Sequence, residues 1–127
     1  MTSISERARA SVSEMPERQQ SIAERFRQVA EEWAEHDAAF YMLENTRTSL
    51  HSELTLKEIA KGTAVSRAEH VAKASQTYRD HVTRAGDEKH KANVLKARMD
   101  YLRMRERKED REAWNERTER KMGRSVT

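Results

Sequence analysis

The chain has 127 residues, of which 35% are hydrophobic and 37% charged, with a formal net charge of +3. That balance is too polar for a thick multilayer core and suits long helices with much of their surface in water. The absence of cysteine excludes disulfides, thiol catalysis and thiolate metal sites.

Residues 1–15 carry no sustained apolar stripe and read as a flexible N-terminal tail. Pro16 suits the first turn of a helix, where a missing N–H has no partner to lose. From there a helix is expected over about 16–61. Its apolar residues recur at alternating steps of four and three: Ile22, Phe26, Val29, Trp33, Phe40, Leu43, Leu50 and Leu54. Such a repeat keeps one stripe facing a partner, as a coiled-coil-like seam requires. His36 and Arg47 occupy seam positions where apolar residues are expected. They read as edge residues that reach solvent or set register. Tyr41 and Met42 flank Phe40, so Phe40 to Leu43 is expected to be the thickest part of the core.

Gly62 accepts positive φ and suits a helix C-cap. Ser66, followed three residues later by Glu69, has the spacing of a capping box and is expected to open a second helix over about 66–85. Its stripe reads Ala68, Val71, Ser75, Tyr78, Val82 and Ala85, with small residues that allow close approach. Gly86 is expected to bend or break this helix. A further helix over about 88–121 resumes the stripe as Ala92, Leu95, Met99 and Leu102, with its phase slipped by about one residue. Beyond Arg103 the stripe gives way to mixed charge, and residues 123–127 read as a tail. The whole is an all-α fold: an elongated antiparallel helical hairpin or coiled-coil-like bundle, a single helical domain over 16–122, expected to be a dimer. The seam Ile22–Leu54 then serves as a shared core.

Charge divides unevenly. Residues 1–62 hold 8 Lys/Arg and 11 Asp/Glu, whereas residues 63–127 hold 17 and 11. Two readings follow: an acidic helix facing a basic one, or a basic half that meets nucleic acid or an acidic protein surface. No phosphate loop, nucleophile elbow or histidine pair at helical spacing occurs, so neither enzymatic activity nor a metal or other cofactor is expected. No apolar run approaches the roughly 20 residues of a membrane span. The N-terminus lacks a signal-peptide core, and a cytoplasmic location is expected.

Binding is left to two stretches. The segment Lys89, Lys91, Lys96, Arg98, Arg103, Arg105, Arg107 and Lys108 offers phosphate contacts, with Tyr101 interleaved as a stacking group. Glu106, Glu109, Asp110 and Glu112 interrupt it. Next, Trp114 with Arg111, Arg117 and Arg120 has the composition of a protein–protein hot spot.

The segments AEHVAKASQTYRDHV, KANVLKARMDYLRMR and RTERKMGRS, with Phe40-Tyr41, Leu43 to Arg47 and the Trp114–Arg120 end, resemble small helical accessory proteins of tailed phages and prophages. The resemblance covers residues 35–124. It implies a role beside replication or recombination genes, in the host cytoplasm, near DNA or host factors. The expectation is a non-enzymatic accessory protein that binds nucleic acid or a recombination partner. Alternatives are an anti-CRISPR-like inhibitor of a host defence complex or nuclease, and a structural coiled-coil assembly protein. Partners are expected to be a second copy and a host or phage protein, DNA or RNA, with no membrane and no small-molecule substrate.

Overall fold

The computed structural model describes Arg9 and residues 20–125. Within them lie three helices and no strand: α1 (Ile22–Ala60), α2 (Val65–Ala74) and α3 (Gln76–Ser125). The fold is all-α. The expected tail over 1–15 falls outside the described residues, Arg9 aside, and the helix expected to run on from Pro16 begins instead at Ile22, with Gln20 and Ser21 outside it.

At the start of α1, Ser21 Oγ accepts the Glu24 N–H at 3.1 Å, and Ser21 O accepts the Arg25 N–H at 3.0 Å. Ser21 is therefore the N-cap, three residues ahead of an acid that also favours the positive helix end. The far end closes as expected at Gly62, which takes φ +98°. Its N–H bonds Ile59 O at 2.9 Å, and the Thr63 N–H reaches Glu58 O at 3.2 Å. That 6→1 and 5→2 pair satisfies two orphan carbonyls and needs a residue that tolerates left-handed backbone.

The next boundaries differ from the sequence reading. Helix α2 begins at Val65 with Ala64 as N-cap and no side-chain cap bond, so Ser66 does not cap it. It ends at Ser75, which is extended at φ −67°, ψ 149°. Ser75 Oγ donates to Ala72 O at 2.6 Å and accepts the Tyr78 N–H at 3.3 Å. One hydroxyl thus closes α2 and opens α3. The expected break at Gly86 does not occur, because α3 runs through it without a positive φ. Helical backbone also continues through Gly123 to Ser125, where a tail was expected.

The chain forms two compact units. The terminal unit comprises Met1–Glu31 and Leu95–Thr127, and the central unit Glu32–Val94. In the terminal unit, Val29 of α1 and Met99 and Leu102 of α3 are buried, with Ile22, Phe26 and Leu95 partly so. In the central unit the buried residues are all alanines: Ala68, Ala72, Ala85 and Ala92. Around them Trp33, Phe40, Leu43, Leu50 and Leu54 of α1 are partly buried. Alanine lets helix backbones approach, which brings these larger side chains down onto α2 and α3.

The phase slip near Gly86 disappears for a specific reason. The inward row of α3 reads His81, Ala85, Glu88, Ala92, Leu95, Met99, Leu102, in unbroken steps of four and three. Val82 is 39% exposed and Val71 36%, so neither faces inward. Two polar residues hold the positions where an apolar count loses the pattern. Tyr41 and Met42 are likewise exposed, at 56% and 68%. They do not thicken the core around Phe40, although the Tyr41 ring meets Phe40 edge-on at 5.5 Å.

Candidate interaction surface

On a helix, residues three, four or seven apart share a face. This sorts the predicted binding residues of α3 into groups that the linear sequence mixes.

Two cations turn onto aromatic rings of α1. In the central unit Lys89 Nζ lies 4.9 Å from the Phe40 ring centre. In the terminal unit the Arg103 guanidinium lies 4.9 Å from that of Phe26. Each holds a charge over the negative face of a ring while its stem covers apolar surface. Lys91 is exposed in the central unit, one turn from Glu88.

The other predicted residues belong to the terminal unit. Tyr101, Arg105 and Lys108 line an open groove of about 380 Å³ with Met104, Glu109 and Glu112. This groove adjoins the inward row Leu95, Met99, Leu102: Arg105 is three and Glu109 seven residues from buried Leu102, and Arg105 is itself partly buried. Arg105 pairs with Glu109 at 3.6 Å, so the groove is mixed in charge, not basic. Arg98 stands one turn ahead on the same side, and Arg111 borders it. Lys96, Arg107, Trp114 and Arg117 form a separate flank with Arg103, and Asp100 and Asp110 are acids among them. Trp114 is 64% exposed. The expected binding segment is thus divided between a basic flank with an exposed indole and a mixed-charge groove with Tyr101 and Met104.

The sequence reading missed the polar contacts that join helices in the central unit. His36 Nδ1 donates to Glu88 Oε2 at 2.5 Å, from α1 to α3. His81 Nε2 meets Leu43 O at 2.7 Å. A carbonyl only accepts, so Nε2 carries the proton. His51 Nε2 reaches Glu69 O of α2 at 3.3 Å, and its ring meets Tyr78 edge-on at 5.8 Å. Three of the five histidines therefore connect helices. The His36 hydrogen bond, helped by the charge of nearby Lys91 and Arg84, holds the Glu88 carboxyl below its usual range against the opposing effect of desolvation. The available signal was His81 and Glu88 at seam spacing on α3, with His36 at seam spacing on α1.

In the terminal unit Arg27 clamps two acids of α1. It bonds Glu24 through Nε at 2.7 Å and Glu31 through Nη1 at 2.6 Å. The Arg27 hydrogen bond lowers the Glu24 pKa, and both acids raise that of Arg27. Arg47 is exposed, as an edge residue should be, and lies 3.7 Å from Glu44. Among the described residues no cluster of three potential metal ligands occurs, and no helix is long and apolar enough to cross a membrane.

Comparison of the chain with protein-family models, with curated proteins and with solved structures finds no match.

Proposed function

We propose that this chain is a non-enzymatic binding protein, an accessory factor of a phage or prophage, whose working surface is the flank of α3 bearing Lys96, Arg107, Trp114 and Arg117. The carrying observation is the exposed Trp114 indole on the same helix face as these cations. Cations that follow one face with an aromatic between them match a nucleic-acid backbone and its unstacked bases. The phage context rests on the resemblance of residues 35–124.

A short labelled single-stranded oligonucleotide, followed by fluorescence anisotropy at low salt, tests this reading. Affinity should fall steeply with salt. Lys96→Glu and Arg107→Glu should each lower the log–log salt slope by about 1. Trp114→Ala should weaken binding at every salt concentration. No affinity for any DNA or RNA at low salt rejects the nucleic-acid target.

The 64% exposure of Trp114 beside arginines supports a second reading, an inhibitor that occludes a host defence complex or nuclease. There Trp114→Ala abolishes protein capture and leaves DNA affinity unchanged.

The second copy is assigned to the other face of α3. Its row Arg98, Arg105, Glu112, Glu119, at intervals of seven, changes sign along the helix, which an antiparallel copy complements. Arg105→Glu should lower the solution mass toward monomer, and Arg105→Glu with Glu112→Arg should restore it.

A further inference from the structure

We infer that the junction of α1, α2 and α3 in the central unit is a binding site for a phosphoryl group. A concavity of about 190 Å³ lies there, lined by Arg47, Thr48, His51, Lys73 and Tyr78. Arg47, Thr48 and His51 come from α1, Lys73 from α2 and Tyr78 from the first turn of α3. No two of these helices make the site alone, and the break at Ser75 is what sets Lys73 and Tyr78 on different helices.

Four of the five lining side chains can donate a hydrogen bond to a ligand, the fifth, His51, having turned its Nε2 to Glu69 O, and none is a carboxylate. A guanidinium, an ammonium and two hydroxyls around so small a space suit a compact anion with several acceptor oxygens. Glu69 stands one helical turn before Lys73 on α2, and Glu44 lies 3.7 Å from Arg47. That separation is an ion pair without a hydrogen bond, so the guanidinium fork still has donors to offer. Lys73 has no carboxylate partner among the described residues. His51 is held in place by Glu69 O and the Tyr78 ring, which fixes one wall.

The site also accounts for Arg47. It stands where the four-and-three repeat of α1 calls for an apolar residue, between Leu43 and Leu50. A cation there gives up burial, and its placement beside Lys73 is what that exchange obtains. Phosphoryl groups come from inorganic phosphate, nucleotides or nucleic-acid strands, and the chemistry of the pocket is shared by all of them. The site is separate from the α3 flank and stands without it.

The test is titration of the full chain, observed through backbone amide NMR shifts, with inorganic phosphate, then ATP, then an oligonucleotide with and without a 5′-phosphate. Phosphate should shift the amides of residues 47–51 and 73–78 saturably, while chloride at matched ionic strength should not. Arg47→Leu should leave the thermal midpoint unchanged or raised, because the seam position accepts an apolar residue. It should weaken phosphate binding by about tenfold or more, since charge-assisted contacts are the strong ones. Lys73→Met should do the same, and Tyr78→Phe should have a smaller effect. A response to the 5′-phosphorylated strand alone assigns a strand end, equal responses assign the backbone, and saturation by phosphate or ATP alone assigns a small molecule. Lys96→Glu, Arg107→Glu and Trp114→Ala should leave these shifts intact. Unsaturated shifts spread over all basic residues, shifts reproduced by chloride, or Arg47→Leu and Lys73→Met chains that bind as the parent does would overturn the site. Each of those outcomes leaves DNA binding by the α3 flank to its own assay.

Discussion

The two units place helices side by side by different means. The terminal unit uses bulk: Val29, Met99 and Leu102 are buried, and Arg103 covers Phe26. The central unit uses close approach: its buried residues are alanines, and His36, His51 and His81 reach across to other helices. Each also sets a cation over an aromatic ring. Phe26 and Phe40 lie two heptads apart on α1, and so do their covering cations Arg103 and Lys89 on α3. Within each unit the pair places charge on the negative face of a ring and apolar stem over its edge. The difference lies in specificity. Aliphatic packing in the terminal unit is forgiving in direction, whereas each histidine contact in the central unit needs a defined partner atom.

The comparison can be broken at four points, in order of expected effect. Leu102 is 1% exposed, so Leu102→Ala should open a cavity and cost about 2–5 kcal/mol in denaturant unfolding. Ala92 is 2% exposed in a unit built on close approach, and Ala92→Leu should overpack it and cost about 1–3 kcal/mol. If Ala92→Leu were neutral, the central helices would not be as close as their buried alanines indicate. Gly86 is helical, an added Cβ meets nothing within 4 Å, and its φ is not positive. Gly86→Ala should therefore stabilise by about 0.5–1 kcal/mol, and a loss would place a break at Gly86 after all.

The smallest effect concerns pH. Glu88 has its carboxyl pKa lowered in the folded chain from an ordinary 4.5. Its contribution is present above that ordinary value and lost as pH falls through the lowered folded value. Thermal midpoints of the parent and Glu88→Gln should differ most near neutrality and converge in acid. A constant difference across that range would detach the His36–Glu88 contact from the acid limb of stability.

Much of the fold was legible because helix periodicity is local. The α1 seam emerged residue for residue, with all eight of its apolar members buried or partly buried. Gly62 was legible because positive φ is a property of a single residue. Ser75 was not, since a serine inside a helical pattern can face the partner helix, bond its own helix or cap the next, and only the geometry around Ala72 and Tyr78 selects among these. The stripe of α3 was misread at Val82 because hydrophobicity was used as the sign of inwardness. His81 and Glu88 face inward through polar contacts, which a count of apolar residues does not register.

The candidate site was less legible than the fold. Lys89 and Arg103 look like phosphate contacts in the linear sequence, and α1 supplies the aromatic rings that occupy them. Arg47 and Lys73 are 26 residues apart and belong to different helices, so nothing local associates them. By itself the sequence determined the all-α class, the seam of α1 and its glycine stop, because propensity, period and backbone sterics act over a few residues. The tertiary structure decided which serine divides α2 from α3, which polar residues join helices, which cations are occupied by rings, and that Arg47 and Lys73 border one concavity. Those outcomes depend on side chains from different helices meeting in space, which no short-range rule contains.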